Sequence, residues 1–427
     1  MTIPTRPTLT RRDWLQQACA GAAALASGTA LAADEDTVRV AWISPQTGAL
    51  AAFGVTDRYA VDLLSPRLNA GIPGPNGKLR KVQVELHDAA SSSARAQALA
   101  LARELIASGV HLVLATATPE ICNPVSDVCE AAGVPCVTAI APWQAWFYGR
   151  KGDPVKGFDW TFHFFCGLED FSDVYSSLLA KADVGQQIGG IFGDDIDGDA
   201  FVKAFPGPMK TRGLELWVPD RVPLGNPNWA ALAQKLKAAN IQAVTGVLPP
   251  PAAMAFFSAA QQVGYKPRMA SIAKAFPFPD TVAAVHREGL ALTNEVWWSP
   301  AWPFTSKLTG QKASEVTRTY EVATGKPWLQ TLGFSHALME VVAETFRTAS
   351  NLGRAAVRDA VARMQVNTVV GPLNWRNSHP NRNVCITPAV GGQWQRGPNG
   401  RWVLHVVDNT RSPFIPRTEE LKVPQAV

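Results

Sequence analysis

Several kinds of sequence signal are missing from this chain. After residue 32 there is no run of five or more Lys/Arg, so the footprint of a nucleic-acid or anionic-membrane binder is absent. No G-x-x-x-x-G-K-[ST] occurs, and no G-x-G-x-x-G follows the first apolar run; nucleotide binding therefore has no phosphate-cradling loop behind it. Cysteines number six and histidines seven, and none shows a C-x-x-C or His/Cys ligand spacing, which leaves zinc and other metals unsupported. "GFSHA" (333–337) lacks the closing Gly of a nucleophile elbow and sits in a helical pattern. The histidines, at 87, 111, 163, 286, 336, 379 and 405, are scattered. The expectation is a protein that is not an enzyme and needs no cofactor.

What is present is ordinary globular material, 47% hydrophobic and 18% charged, in 427 residues, a length that suggests two domains. The N-terminus is distinct. "TLTRRDWLQQACAGAAALASGTALAADE" has paired Arg11 and Arg12, an Ala/Gly-rich weakly apolar stretch and Ala30-Leu31-Ala32, the three regions of an export signal. The twin arginine resembles the Tat signal for folded proteins. Cleavage near Ala32 would place the mature protein in the periplasm and lower the formal charge from +5 to about +3. Five cysteines would remain, and a Cys129–Cys136 bridge and free buried thiols both stay open.

From Thr37 onward short β runs alternate with helical ones. Strands are expected at 38–44, 81–89, 110–117 and 134–140, with helices at 55–71, 92–109 and 120–133. After an aromatic stretch (143–165) the alternation restarts through "QIGGIFGD", "IQAVTGVL" and "PRMASIAK". Helical segments (332–349, 353–364) and a β-like tail follow. Strands separated by helices at this spacing imply parallel sheets covered on both faces.

"FGDDIDGDAF" (192–201) holds Asp194, Asp195, Asp197 and Asp199 around Gly198. The Gly falls too early for a calcium loop and no closing acid follows. The stretch reads as a strand-to-helix turn capped by Asp194 or Asp197, and ligands gather at such turns.

Four stretches, in this order, resemble one family: "ISPQTGALAAFG" (43–54), "SGVHLVLATATPEICNPVSDVCEAAGVPCVT" (108–138), "FGDDIDGDAF", and "LGFSHALMEVVAETF" with "VVGPLNW" (369–375). The chain resembles the solute-binding component of an ABC importer, of the branched-chain amino-acid (Leu/Ile/Val-binding-protein-like) family. The resemblance implies an α/β fold of two Rossmann-like lobes with parallel sheets joined by three hinge crossings, the type I periplasmic binding protein. Crossings are expected near 159–168, 289–298 and 369–375. Lobe 1 would comprise 33–160 and 297–370, and lobe 2 161–296 and 371–427. The implied protein is a monomer whose partners are a small-molecule solute (an amino acid or organic carboxylate) and an inner-membrane ABC permease. The same fold also serves ligand sensors that signal to another partner.

The resemblance points to a ligand held between the lobes by βα turns. Lobe 1 candidates are Gln46 and Phe53, Thr116 and Thr118, and Ile140, Ala141 and Trp143. Hydroxyls and free N–H groups at helix starts suit a carboxylate. Lobe 2 candidates are Asp197, Leu248, Pro249 and Lys274, with Trp297 and Trp298 as walls. Three positions depart from the family's amino-acid binders. Pro142-Trp143 replaces a hydroxyl residue, Asp197 falls where they carry Tyr, and Lys274 lies near the position of their acidic residue. An ammonium beside Lys274 would be repelled unless Asp197 took over; Lys274 with aromatic walls suits an aromatic or other apolar carboxylate.

Overall fold

In the computed structural model, residues 37–90, 94–379 and 381–425 are described. The expected signal and its cleavage site lie outside them. No helix among the described residues is long and apolar enough to cross a membrane.

The first sheet is built on β1 (Thr37–Ser44), β4 (Leu112–Thr116), β5 (Cys136–Ala139) and β6 (Thr161–Phe164). These pair in parallel, and the full strand order is β15-β6-β5-β4-β1-β3-β2, with β2 Ile72–Pro73, β3 Leu79–Asp88 and β15 Val384–Cys385. The second sheet runs β17-β16-β12-β11-β10-β7-β8. Its parallel centre is β7 (Gln187–Gly193), β10 (Ala243–Val247), β11 (Met269–Ala273) and β12 (Ala291–Val296). The antiparallel β16 (Val390–Arg396) and β17 (Trp402–Asp408) close one edge, and β8 (Glu215–Trp217) the other. All residues of β4, β5, β10, β11 and β12 are buried. That is why β4, β5, β10 and β11 read as mostly apolar runs rather than as alternation.

Helix ends follow local chemistry. The helix Pro119–Ala132 starts with Pro at its first turn, where the missing N–H costs nothing, and stops at Gly133 in the left-handed conformation (φ 63°). The helix Val55–Asn69 runs three residues past Pro66. The ring sits in its last turn, where it ends the helix without breaking it.

Two sequence boundaries move. β6, which the sequence boundaries give to lobe 2, pairs with β5 in the first sheet, so the first crossing follows it at 165–167. The stretch 369–375 is not a crossing: β14 (Gly371–Asn374) forms a hairpin with β13 (Gln365–Thr368). The chain then adds β15 beside β6 before entering β16, which puts the third crossing at 386–389. The second crossing leaves β12 at its end, as the range 289–298 anticipates. The five remaining cysteines are buried free thiols.

Candidate functional site

The parallel strands of both sheets end at a cleft open to solvent. Phe53, Thr118, Pro119 and Ile140 line it from the first sheet's turns, and Asp197, Val247, Lys274 and Pro277 from the second's. The first crossing adds Phe165, and the end of β12 with the second crossing adds Glu295 and Trp297. Aromatic rings form the walls: Phe165 packs on Trp297 at 5.3 Å between centroids and on Phe171 at 6.3 Å, and Phe171 on Phe201 at 5.4 Å. Phe53 meets Phe278 edge-on at 4.8 Å, a contact between the two lobes.

Backbone strain concentrates here. Ala117, Ile140 and Lys274 follow β4, β5 and β11 and have φ of 104°, 66° and 66°, and all three line the cavity. For a β-branched residue such as Ile140 the left-handed region is an outlier. Strain of about 1–3 kcal/mol per residue persists only where surrounding structure enforces it, often at ligand clamps.

The Asp-rich turn resolves residue by residue. Asp195, not Asp194 or Asp197, caps the helix Ile196–Ala204, accepting the Gly198 N–H at 2.7 Å. A Cβ at Gly198 would collide with the Gly193 carbonyl, so glycine lets the helix start against its strand. Asp194 and Asp199 face Arg221 at 3.8 and 2.8 Å. Asp197 turns inward, buried, and pairs with Lys274. Lys274 also reaches Glu120, at the start of the opposite lobe's helix, at 3.6 Å. One lysine of the second lobe thus joins an acid of each lobe.

The electrostatics follow from burial and this pairing. Burial raises Asp197 to about 6 against the pull of Lys274, leaving it ionised at neutral pH. Burial pushes Glu120 upward too, but the charge of Lys274 and hydrogen bonds from Thr118 and the backbone together hold the carboxyl below its ordinary value. Burial opposes the charged form of Lys274, yet Asp197 and Glu120 raise it well above its ordinary value. Glu295, at the carboxyl end of β12, is raised to about 7 by burial, with the Tyr175 hydroxyl donating to it in opposition.

Of the residues named from sequence, Phe53, Thr118, Ile140, Asp197 and Lys274 come together at the cavity. The others point elsewhere. Gln46 donates to the Ser44 hydroxyl and the Gly54 carbonyl, bracing its own turn. Thr116 is in the first lobe's core, donating to Asp57 at 2.6 Å and accepting from the Trp42 indole at 3.2 Å. Ala141 accepts from His163, and the Trp143 indole donates to Glu169. Leu248 is fully buried beside β11 and Pro249 precedes the helix Pro250–Gln262. Trp297 walls the cavity, whereas Trp298 turns into lobe 1 and donates to Val369.

Glu120 and Glu295 went unnamed in the sequence. An acid in a helix's first turn is commonplace, which hides Glu120. Glu295 lies in ALTNEV beside the polar Thr293 and Asn294, so nothing local set it apart. Among the described residues no group of three His, Cys, Asp or Glu is placed to hold a metal ion.

The architecture matches solved structures over most of its length. A leucine binding protein LivK from Thermotoga maritima superposes with a TM-score of 0.71 at 15% identity, covering 87% of this chain and 99% of that one. The LivJ substrate binding protein of Streptococcus pneumoniae, in complex with isoleucine, gives 0.69 at 17%, covering 87% and 99%. A solute binding protein of an ABC transporter from Rhodopseudomonas palustris BisB5, in complex with 3,4-dihydroxybenzoic acid, gives 0.69 at 18%, covering 89% and 99%. At such identities the likeness establishes the type I periplasmic binding fold and nothing finer. No curated protein sequence matches the chain. The family model for periplasmic binding proteins matches residues 37–397, and the chain belongs to that family.

Proposed function

We propose that the protein is the solute-binding component of an ABC importer. It captures an amino acid or a related small carboxylate with an apolar or aromatic body and delivers it to an inner-membrane permease. The observation that carries this reading is the cavity itself, walled by aromatic rings and closed by turns of both lobes. Its walls are largely apolar and aromatic, which suits a ligand with an apolar body. The neighbours' isoleucine and 3,4-dihydroxybenzoic acid are compact molecules of these two classes. The Glu120–Lys274–Asp197 bridge spans the lobes and gives ligand-driven closure something to build on.

The test is a thermal-shift screen of the chain from about Ala33 against free amino acids and aromatic carboxylates. A ligand at about a hundred times its dissociation constant adds roughly 2.7 kcal/mol of stability, so the midpoint should rise by several degrees. An unmoved midpoint with every compound at millimolar concentration would count against this ligand class.

A further inference from the structure

Lys274 is the one basic side chain among the described residues that line the cleft. A carboxylate entering there has no other cation to meet, and Lys274 is already engaged. Asp197 holds it from its own lobe and Glu120 from the opposite one.

The two acids are held unequally. Asp197 is in direct contact with the ammonium, and its side chain is 2% exposed. Glu120 stands 3.6 Å away and is 28% exposed. It sits in the first turn of the helix Pro119–Ala132, where the Thr118 hydroxyl and a backbone N–H of the helix start also donate to it. From that turn it has a path to solvent, where water and the positive end of the helix continue to favour its charge. Asp197 has no such path: leaving Lys274 would strand a buried carboxylate without its cation. Glu120 is the partner that can be exchanged.

What Glu120 brings to Lys274 is a carboxylate, the chemical group that an acidic solute would bring. When a solute takes over that position, Lys274 exchanges one carboxylate for another and no charge in the cleft is left unpaired.

We propose that Glu120 is a tethered surrogate for the ligand's carboxylate: it occupies Lys274 in the empty cleft, and a carboxylate solute binds by displacing it while Asp197 stays in place. The apparent affinity is then reduced by the fraction of molecules in which Lys274 is covered. Small anions such as acetate, which offer nothing to Phe53, Phe165 and Trp297, are rejected. A carboxylate with an apolar or aromatic body gains from those walls the contact that displacement requires. This assignment rests on reading the cleft as the solute site.

The test compares carboxylates with their primary amides, which keep the shape and lose the negative charge: benzoate with benzamide, 4-methylpentanoate with its amide, and leucine with leucinamide. Each is titrated by calorimetry into the wild-type chain from about Ala33, Glu120→Gln and Glu120→Ala. Both variants should bind the carboxylate members about tenfold more tightly than the wild type, the lower end for a contact to a charged group. Their affinity for the amides should change less than about twofold. Glu120 is partly exposed in a helix's first turn, so the circular dichroism spectrum should not change; should one variant fail to fold, the other decides. A carboxylate that binds only the variants supports the proposal. Carboxylate affinity unchanged or weakened in a folded variant, or acid and amide tightened alike, would overturn it and leave the solute site intact. No binding of any compound by the wild type or either variant would overturn the solute reading itself, and this assignment with it.

Discussion

Two buried aspartates, one in each lobe, are held in opposite ways. Asp57 lies in the first lobe's interior and accepts from three hydroxyls, Ser44 and Thr116 at 2.6 Å and Ser335 at 2.5 Å. Trp42 and Thr56 extend this network, and all its members belong to that lobe. Asp197 has no hydroxyl partner; its carboxylate meets Lys274, which continues across the cleft to Glu120. Burial raises both aspartates to about 6, against hydroxyl donors at Asp57 and against a cation at Asp197. A network closed within one lobe stabilises that lobe and is indifferent to whether the cleft is open. A charge pair with an arm into the opposite lobe couples stability to closure.

The largest expected effect sharpens that contrast. Lys274→Met leaves Asp197 and Glu120 without their cation, and removing one partner of a buried pair costs about 3–5 kcal/mol. The loss should be full at pH 8 and smaller at pH 5, where Asp197 takes up a proton. Denaturant unfolding at the two pH values measures it. Small-angle scattering should show the variant more open.

Next, Asp57→Ala strands the Ser44, Thr116 and Ser335 hydroxyls in the core. The expected cost is about 3 kcal/mol, since each buried polar group left unsatisfied costs about 1–3 kcal/mol and the hydroxyls can partly re-pair. Scattering should not change. An opened lobe arrangement in this variant would break the comparison.

The third prediction concerns pH. Below about 4 Asp57 is protonated in both folded and unfolded chains. As pH rises, the unfolded chain ionises first, so stability falls until the folded carboxyl ionises near 6, and is flat above that. The span amounts to about 3 kcal/mol. His163 and His336, lowered by burial to about 3 and 4, act the other way: their contribution is complete above the unfolded value of 6.5 and is lost as pH falls toward 4. The readout is therefore the difference between wild type and Asp57→Asn, in which the wild type should lose ground steadily between pH 4 and 6. A flat difference would mean that Asp57 is not held by burial.

The smallest effect is Glu120→Gln, which removes only the arm that crosses the cleft. Stability should fall by about 1 kcal/mol or less, because the carboxylate is partly exposed and its lysine keeps Asp197. The open fraction seen by scattering should rise all the same. No change in that fraction would remove the coupling role from the bridge.

The fold was readable because its central strands are buried on both faces and its helices carry their own start and stop signals, such as Pro119 and Gly133. Pairing was less readable. Thr161–Phe164 is a four-residue buried strand, TFHF, and nothing within it states that its neighbour is Cys136–Ala139. The same holds for Val384–Cys385, whose addition to the first sheet moves the third crossing beyond 369–375.

At the site, sequence could locate the turns but not the direction of each side chain. Thr116 and Thr118 are two residues apart, yet Thr116 still belongs to β4 and points into the core, whereas Thr118 lies past it and faces the cavity. Among the four aspartates of the second-lobe turn, which one caps, which faces Arg221 and which turns inward depends on a helix phase set by packing on β7.

The sequence by itself determined the alternation of strands and helices, the two-lobed α/β plan and the turns at which a ligand can be held. These follow from local propensity and from apolar runs that must be buried. The tertiary structure decided the rest: which strands pair, that Lys274 is spent on two acids from different lobes, and that Glu295 lines the cavity with the Tyr175 hydroxyl donating to it. Such facts depend on groups far apart in the chain, and no local pattern encodes the distance between them.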